Sequence, residues 1–475
     1  MQTSRNNVHM HPSSGTIRSS ETLLIVGAAS VLSTLDLFVV NLAFSSIRDS
    51  FPGVTNQALS WVLSAYSIMF AALLVPAGRL ADRYGRKQVF RLGLAVFAVA
   101  SAACAFAPSS SLLIVARAVK GIGAAMMVPT SLGLLLAAYP RERHTQMVGI
   151  WSATGSVAAA LGPVVGGALV HIDWRLIFLI NVPLGVVAVW RGKHLVDAPR
   201  TATAATPDLL GSALLALGIG ALVAAISYAP EWGVASLRFV GTALAAAAFL
   251  AWFVQRCRRH PSPALDLRMF EARPFLASTL GMAAFYVGFA MMLLGGTLFL
   301  TSVWGWDPLR AGLAFAFGPG TAVISALVAG KVDAPPRMLT MAGASLFVAG
   351  GLYWWAMLGS APSWSAHYLP AAMMFGAGAG VTQTGFIASG MASLPASDYA
   401  TGTAVLNTAR QLGAAIGVAI FVAIAGTAKA PADYAPAWLT IAVFAALGAL
   451  SSSLLNARGS GAEARSPAAG ARRSA

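Results

Sequence analysis

Fourteen apolar runs, each near the roughly 20 residues that a helix needs to cross a bilayer, fill most of this 475-residue chain. They lie near 22–44, 59–78, 88–107, 112–137, 146–170, 176–194, 208–228, 237–255, 275–302, 309–330, 338–358, 366–392, 402–427 and 436–456. In hydrocarbon every backbone N–H and C=O must be satisfied within the protein, so runs of this length are predicted to be spanning helices. Charged residues make up only 10% and hydrophobic residues 57%, against roughly 25% charged in a soluble domain. A soluble fold is excluded, and the predicted class is an all-α polytopic membrane protein. The first run is too long for a signal-peptide core, so it is expected to stay.

A net charge of +15 on a soluble domain would point to nucleic acid. Here the basic residues sit in short connections between runs. Arg48, Arg175, Arg238, Arg310 and Lys429 fall on one set of alternate connections; Arg117, Lys120 and Arg410 fall inside predicted helices; the rest of the 31 Lys and Arg fall on the other set. The positive-inside rule makes the crowded set cytoplasmic, and an even number of spans puts both termini there. The densest connection runs from Gly78 to Lys87 and holds Arg79, Arg83, Arg86 and Lys87. Cys104 in an apolar run and Cys257 in a basic loop are not expected to be bridged. The chain has neither a phosphate-binding Gly-rich loop ending in Lys-Ser/Thr nor a Gly-x-Ser-x-Gly elbow. An ATP-driven pump or a membrane hydrolase therefore has no site, and no cofactor or metal is expected.

Asp36 is the only carboxylate deep in any run. A charge at that depth costs roughly 2.5 to 3.5 kcal/mol on insertion scales, so Asp36 must face protein or water; it is a functional candidate, with a structural ion pair as the alternative. Arg117 and Lys120 lie three apart on the fourth helix, hence on one face. At 1.5 Å per residue, Asp36 and Lys120 lie about 12 Å and Arg117 about 8 Å below the same end of their helices. A meeting is expected, with a snorkelling Lys120 as the alternative. If both cations face a cavity, that cavity is net positive and favours neutral or anionic amphipathic compounds. The fifth helix carries small residues at Gly155, Ala158, Ala159, Gly162 and Gly166, a groove that admits another helix, and Pro163 bends it. Phe285, Tyr286 and Phe289 on the ninth helix offer aromatic faces, and Thr382-Gln383-Thr384 gives the twelfth a polar patch.

The loop Gly78-Arg79-Leu80-Ala81-Asp82-Arg83-Tyr84-Gly85-Arg86-Lys87 resembles the signature between helices 2 and 3 of the major facilitator superfamily. A decayed second copy, Gly330 to Arg337, fits a parallel internal repeat. Leu35-Asp36 through Val39-Val40-Asn41-Leu42-Ala43, Arg117 followed by Gly121-Ile122-Gly123, and Gly155 through Gly162-Pro163 to Gly166-Gly167 resemble motifs of the fourteen-helix drug:proton antiporters, over residues 22 to 456. The departures are Lys120, where the family more often has Gln, and Ala158, where it has Gly.

The resemblance implies two pseudo-symmetric six-helix bundles, 22–194 and 275–456, with a linker and two inserted helices at 195–256. It also implies a basic cytoplasmic loop at 257–274 and tails at 1–21 and 457–475. It assigns proton coupling to Asp36 and Arg117, and a conformational latch to Gly78, Asp82, Arg83, Gly85 and Arg86, with Asp82 capping a helix of the opposite half near Thr401. The antiporter motif is Gly155, Gly162, Pro163, Gly166 and Gly167. Candidate cavity residues are Asn41, Lys120, Phe285, Tyr286, Phe289 and Gln383. The expected activity is proton-coupled efflux of small amphipathic compounds by a monomeric cell-membrane protein whose partners are substrate, protons and lipid, not nucleic acid. The alternatives are an importer or metabolite carrier, or a membrane sensor that no longer transports.

Overall fold

The protein is described here as a computed structural model, covering residues 13–195, 206–359, 361–395 and 398–453. The tail expected at 457–475 lies outside the described residues, as does the tail at 1–21 up to residue 12; from Ser13 onward that tail is already helical. Fourteen helices of spanning length follow one another: α1 Ser13–Leu42, α2 Asn56–Tyr84, α3 Arg86–Ala105, α4 Ser110–Ala137, α5 His144–Ile172, α6 Leu176–His194 and α7 Leu209–Trp232. The series continues with α8 Leu237–Arg259, α9 Arg273–Leu298, α10 Pro308–Ala329, α11 Pro336–Met357, α12 Leu369–Ala392, α13 Tyr399–Ala425 and α14 Pro431–Ser453. Among the described residues, thirteen are long and apolar enough to cross a membrane. The exception, α12, has the length but is diluted by glycines and by Thr382, Gln383 and Thr384.

Prolines explain where two helices break. Pro183 and Pro319 lack the N–H that would bond the carbonyl four residues earlier, at Leu179 and Phe315. The breaks fall there: Leu176–Leu179 is followed by Asn181–Arg191, and Pro308–Phe315 by Phe317–Ala329. The turn between α2 and α3 is a single residue, Gly85, at φ 105°. That backbone conformation is open to glycine and strained for other residues.

Helices early in the chain pack among themselves, as do those late in the chain, and the two groups meet where α2 lies against α13 and α5 against α10. α4 lies against α2 and α3, α5 against α1, and α6 against α3; later in the chain α13 and α14 lie against α9, and α12 against α10 and α11. α7 pairs with α8 and also lies against both α2 and α13, so it covers the seam where the groups meet. At the end of the bundle away from Gly85, contacts cross between the groups. Ser45 and Thr301 hydroxyls are 3.2 Å apart, Thr297 donates to the Asn41 carbonyl at 3.4 Å, and the Asn56 amide bonds the Gly426 carbonyl. Deeper in, Thr408 of α13 donates to the Ala71 carbonyl of α2 at 3.2 Å. At the Gly85 end, Arg79 donates to the Ser262 hydroxyl at 2.8 Å and to the Pro263 carbonyl.

The α7–α8 pair is fastened by Asp208. Its carboxylate caps α7 by accepting from the Gly211 N–H at 2.9 Å and binds the Arg256 guanidinium of α8 at 2.7 Å. Burial alone would raise its pKa, but those two hydrogen bonds and the arginine's charge more than offset it and hold the carboxyl below the usual carboxylate range. A group depressed in the folded state stabilises fully above its unfolded value of about 3.9 and loses that contribution as pH falls through the folded value. Thermal unfolding in detergent should therefore show Asp208→Asn less stable than wild type at about pH 7, with the gap shrinking once the pH is taken well below about 3.9.

Candidate functional site

The site is built where α4 wedges between α2 and α3. A Cβ at Gly121 would run into the Tyr66 carbonyl of α2, and one at Gly123 into the Phe97 backbone of α3. These two glycines let three backbones approach closely. The approach swings the face bearing Arg117 and Lys120 toward α1, where Asp36 waits at the same depth.

The three charges form one buried cluster. Arg117 binds one carboxylate oxygen of Asp36, and Lys120 donates to the other at 2.6 Å. Asp36 and Arg117 are each 1% exposed and Lys120 is fully buried. Arg117 spends a further N–H on the Val62 carbonyl at 2.7 Å. Its guanidinium lies 4.4 Å from the Tyr66 ring centroid, and the Lys120 ammonium lies 4.6 Å from that of Phe97 and 5.0 Å from that of Phe178. Ring faces carry partial negative charge and stabilise the two cations where water is absent. The Tyr66 hydroxyl is buried with no hydrogen-bond partner among the described residues, a polar atom held beside the charge cluster.

Lys120 thus differs from the cavity residue considered above: it neither snorkels nor faces an open space. Both cations pair with Asp36, which leaves the cluster with one positive charge in excess. The aromatic shell of Tyr66, Phe97 and Phe178 carries no sequence signal, since these residues sit on three other helices and meet only through the glycine-mediated approach.

The other candidate residues divide between core and interior surface. Phe285 is a core residue, 1% exposed, with its ring 4.7 Å from that of Phe347. Tyr286 donates to the Gln383 carbonyl oxygen at 2.5 Å, and its ring is 5.0 Å from that of half-buried Phe289. Asn41 bonds the Leu37 carbonyl at 2.7 Å and faces Thr297 of α9, in the contact between groups. The α5 motif is filled by its neighbours. Gly155 faces Ser30 and Thr34, Gly162 faces Phe38, and Gly166 faces Val39, all on α1; Gly167 and the Pro163 carbonyl meet Pro308 and Gly312 of α10. In the turn, Asp82 accepts from Arg86 at 3.1 Å, and Arg83 lies 5.6 Å from the Tyr84 ring centroid. Gly78 has open space around it. In this conformation Asp82 is paired with Arg86 within its own turn.

A bundle of spanning helices in two groups, with an ion cluster in its interior, defines a membrane transporter rather than an enzyme. Residues 26–418 match the Major Facilitator Superfamily, and the chain belongs to that superfamily. It is 32% identical over 406 residues to the multidrug resistance protein Stp of Mycobacterium tuberculosis, covering 84% of this chain and 74% of that protein. It is 33% identical over 409 residues to the multidrug efflux pump LfrA of Mycolicibacterium smegmatis, covering 84% and 79%. The methylenomycin A resistance protein of Streptomyces coelicolor is 32% identical over 443 residues, 90% of each chain. Among solved structures, an auto-inhibited peptide transporter of the POT family superposes with TM-score 0.67 over 96% of this chain and 99% of that one, at 17% identity.

Two cations on one carboxylate make the cluster's stability asymmetric. Removing a partner from a buried ion pair costs about 3 to 5 kcal/mol because the other charge is stranded. Asp36→Asn strands two cations, whereas Lys120→Gln leaves an intact pair. Unfolding midpoints in detergent should rank wild type close to Lys120→Gln and both well above Asp36→Asn. Adding Lys120→Gln to Asp36→Asn should recover part of the loss.

Proposed function

We propose that the protein exports small amphipathic compounds in exchange for protons, by alternating access of two six-helix blocks at 22–194 and 275–456. The observation that carries this reading is Asp36, one carboxylate held in the interior between Arg117 and Lys120. Proton exchange needs a group whose protonation differs between two access states, and a lone acid whose counter-ions sit on another helix meets that need. When α1 and α4 shift apart, Asp36 loses its cations and takes a proton; when they close, it releases one. Resistance and efflux in the names of the relatives, together with the glycine face of α5, support export over import.

On this reading a linker and two inserted helices at 195–256 and a basic loop at 257–274 join the two blocks, with α8 continuing as helix to Arg259. The excess of Lys and Arg at the Gly85 end supports a cytoplasmic location for that end and both termini in a cell membrane. The polar contacts Ser45–Thr301, Thr297–Asn41 and Asn56–Gly426 then lie on the outer side, which supports a closed outer end. On this reading Asp82 exchanges Arg86 for the N-terminus of α13 in the opposite state. A carboxylate there is worth roughly 0.3 to 1 kcal/mol, up to about 2 when partly buried, enough to move a balanced equilibrium several-fold. Asp82→Asn should raise cytoplasmic-side cysteine labelling of the cavity, and an unchanged labelling pattern would reject the latch.

The transport test uses vesicles with an imposed proton gradient. Substrate should dissipate the gradient with wild type and with Lys120→Gln, and should fail to do so when Asp36→Asn is added to the Lys120→Gln background. Undiminished proton-driven transport in that double variant would contradict the coupling role of Asp36.

A further inference from the structure

Arg410 is a second interior charge, and the ion cluster does not use it. It sits mid-way along α13, about 16 Å from the Tyr399 end and about 22 Å from the Ala425 end, too deep for an arginine to reach either headgroup region. The side chain is half-buried, with its guanidinium 5.7 Å from the ring centroid of Tyr286 on α9. That direction is inward: a Cβ at Gly413, one turn further along α13, would meet the Ala283 carbonyl and the Tyr286 side chain. Among the described residues no carboxylate pairs with Arg410, and the one deep carboxylate, Asp36, already carries Arg117 and Lys120. The interior therefore holds three cations against one anion.

A cation without a counter-charge at this depth is costly unless something supplies one. The Tyr286 hydroxyl oxygen accepts a hydrogen bond from Arg410, and the other neighbours shown for the guanidinium are ring faces rather than anions. Tyr286 gives its hydroxyl proton to the carbonyl oxygen of Gln383, which orients that amide and leaves its N–H2 with no acceptor among the described residues. The rings of Tyr286, Phe289 and Phe347 lie beside it, with Phe289 and Phe347 centroids 6.3 Å apart. Guanidinium and amide N–H groups both want an oxygen-rich acceptor, and a guanidinium binds a carboxylate or sulfonate through two parallel hydrogen bonds.

We propose that Arg410 and Gln383 form an anion-binding subsite of the transport cavity, and that the transported compounds are amphipathic organic acids. The carboxylate, phenolate or sulfonate group sits on Arg410, and the apolar body lies along Phe289. This rests on the export reading above for the word transported, but the subsite itself does not depend on proton coupling. It places the charge selectivity on α13 and α12, not on Arg117 and Lys120.

The test uses one dye scaffold in three forms, bearing a sulfonate, a neutral amide or a quaternary ammonium. Binding to the purified full-length protein is read by fluorescence, and proton-driven movement is read in vesicles. Wild type should bind and move the sulfonate form best. Arg410→Gln should weaken sulfonate binding at least about tenfold while leaving the neutral form within a few-fold, and Arg410→Lys should keep the preference for the anion. Arg410→Gln removes an uncompensated interior charge, and the neutral form reports on its folding; should it not fold, Gln383→Leu carries the same comparison. If sulfonate binding depends on Arg410 but no dye moves with protons, the export reading fails and the subsite stands. Best binding of the quaternary ammonium form by wild type, or an unchanged charge ranking in Arg410→Gln, overturns the subsite.

Discussion

A carboxylate surrounded by hydrocarbon must be neutralised by protein, and Asp36 meets that demand with two cations from a neighbouring helix. Much of the N-terminal half follows from this one requirement. The cations are held at the right depth by the register of α4, and at the right distance because Gly121 and Gly123 let α4 sink between α2 and α3. Once there, the cations need their own compensation when the acid is protonated. The rings of Tyr66, Phe97 and Phe178 and the Val62 carbonyl provide a part of it. The closed triad neutralises its acid, and on the proposed reading opening it would let Asp36 take up a proton.

The same helix that bears Asp36 also joins the two groups. On α1, Thr34, Phe38 and Val39 rest in the glycine face of α5, and Asn41 reaches Thr297 of α9. On α5, Gly167 and Pro163 touch α10. A shift of α1 that separates Asp36 from α4 is thus felt at the α5 and α9 contacts without any intervening loop. Packed helices that meet backbone to backbone have few intermediate arrangements, so a small shift is propagated rather than absorbed. The inserted α7 lies along α2 and α13, where it must accommodate any movement of one group against the other.

The class of the protein, the number of helices and the pairing of Asp36 with Arg117 were legible because hydropathy, the Gly85 turn and helical rise are one-dimensional properties. Direction around a helix axis was not. Lys120 lies at the depth that counting gives, yet whether it meets Asp36 or an open cavity depends on how α4 is rotated, which the glycine contacts with α2 and α3 decide. Phe285 and Phe289 are four apart on α9, and only the packing of Phe347 makes the first a core residue. The breaks in α6 and α10 fall four residues before Pro183 and Pro319, yet Pro76, Pro129, Pro163 and Pro230 leave their helices continuous, so proline position alone does not mark them. Asp82 shows another limit: the latch proposed for it needs a second partner in a second state, and this conformation displays only its pairing with Arg86. Arg410 is conspicuous in the sequence as a charge inside a span, but its lack of a counter-ion emerges only when every deep carboxylate has been placed.

The account stands or falls on Asp36 changing its protonation during transport. With a single carboxylate in the interior, infrared difference spectroscopy reads that event directly. Adding a transported compound to the reconstituted protein should produce a change in the protonated-carboxyl band that shifts in Asp36→Glu and is missing when Asp36 is Asn in the Lys120→Gln background. A substrate-induced spectrum with no carboxyl band, or one that persists without Asp36, would contradict it.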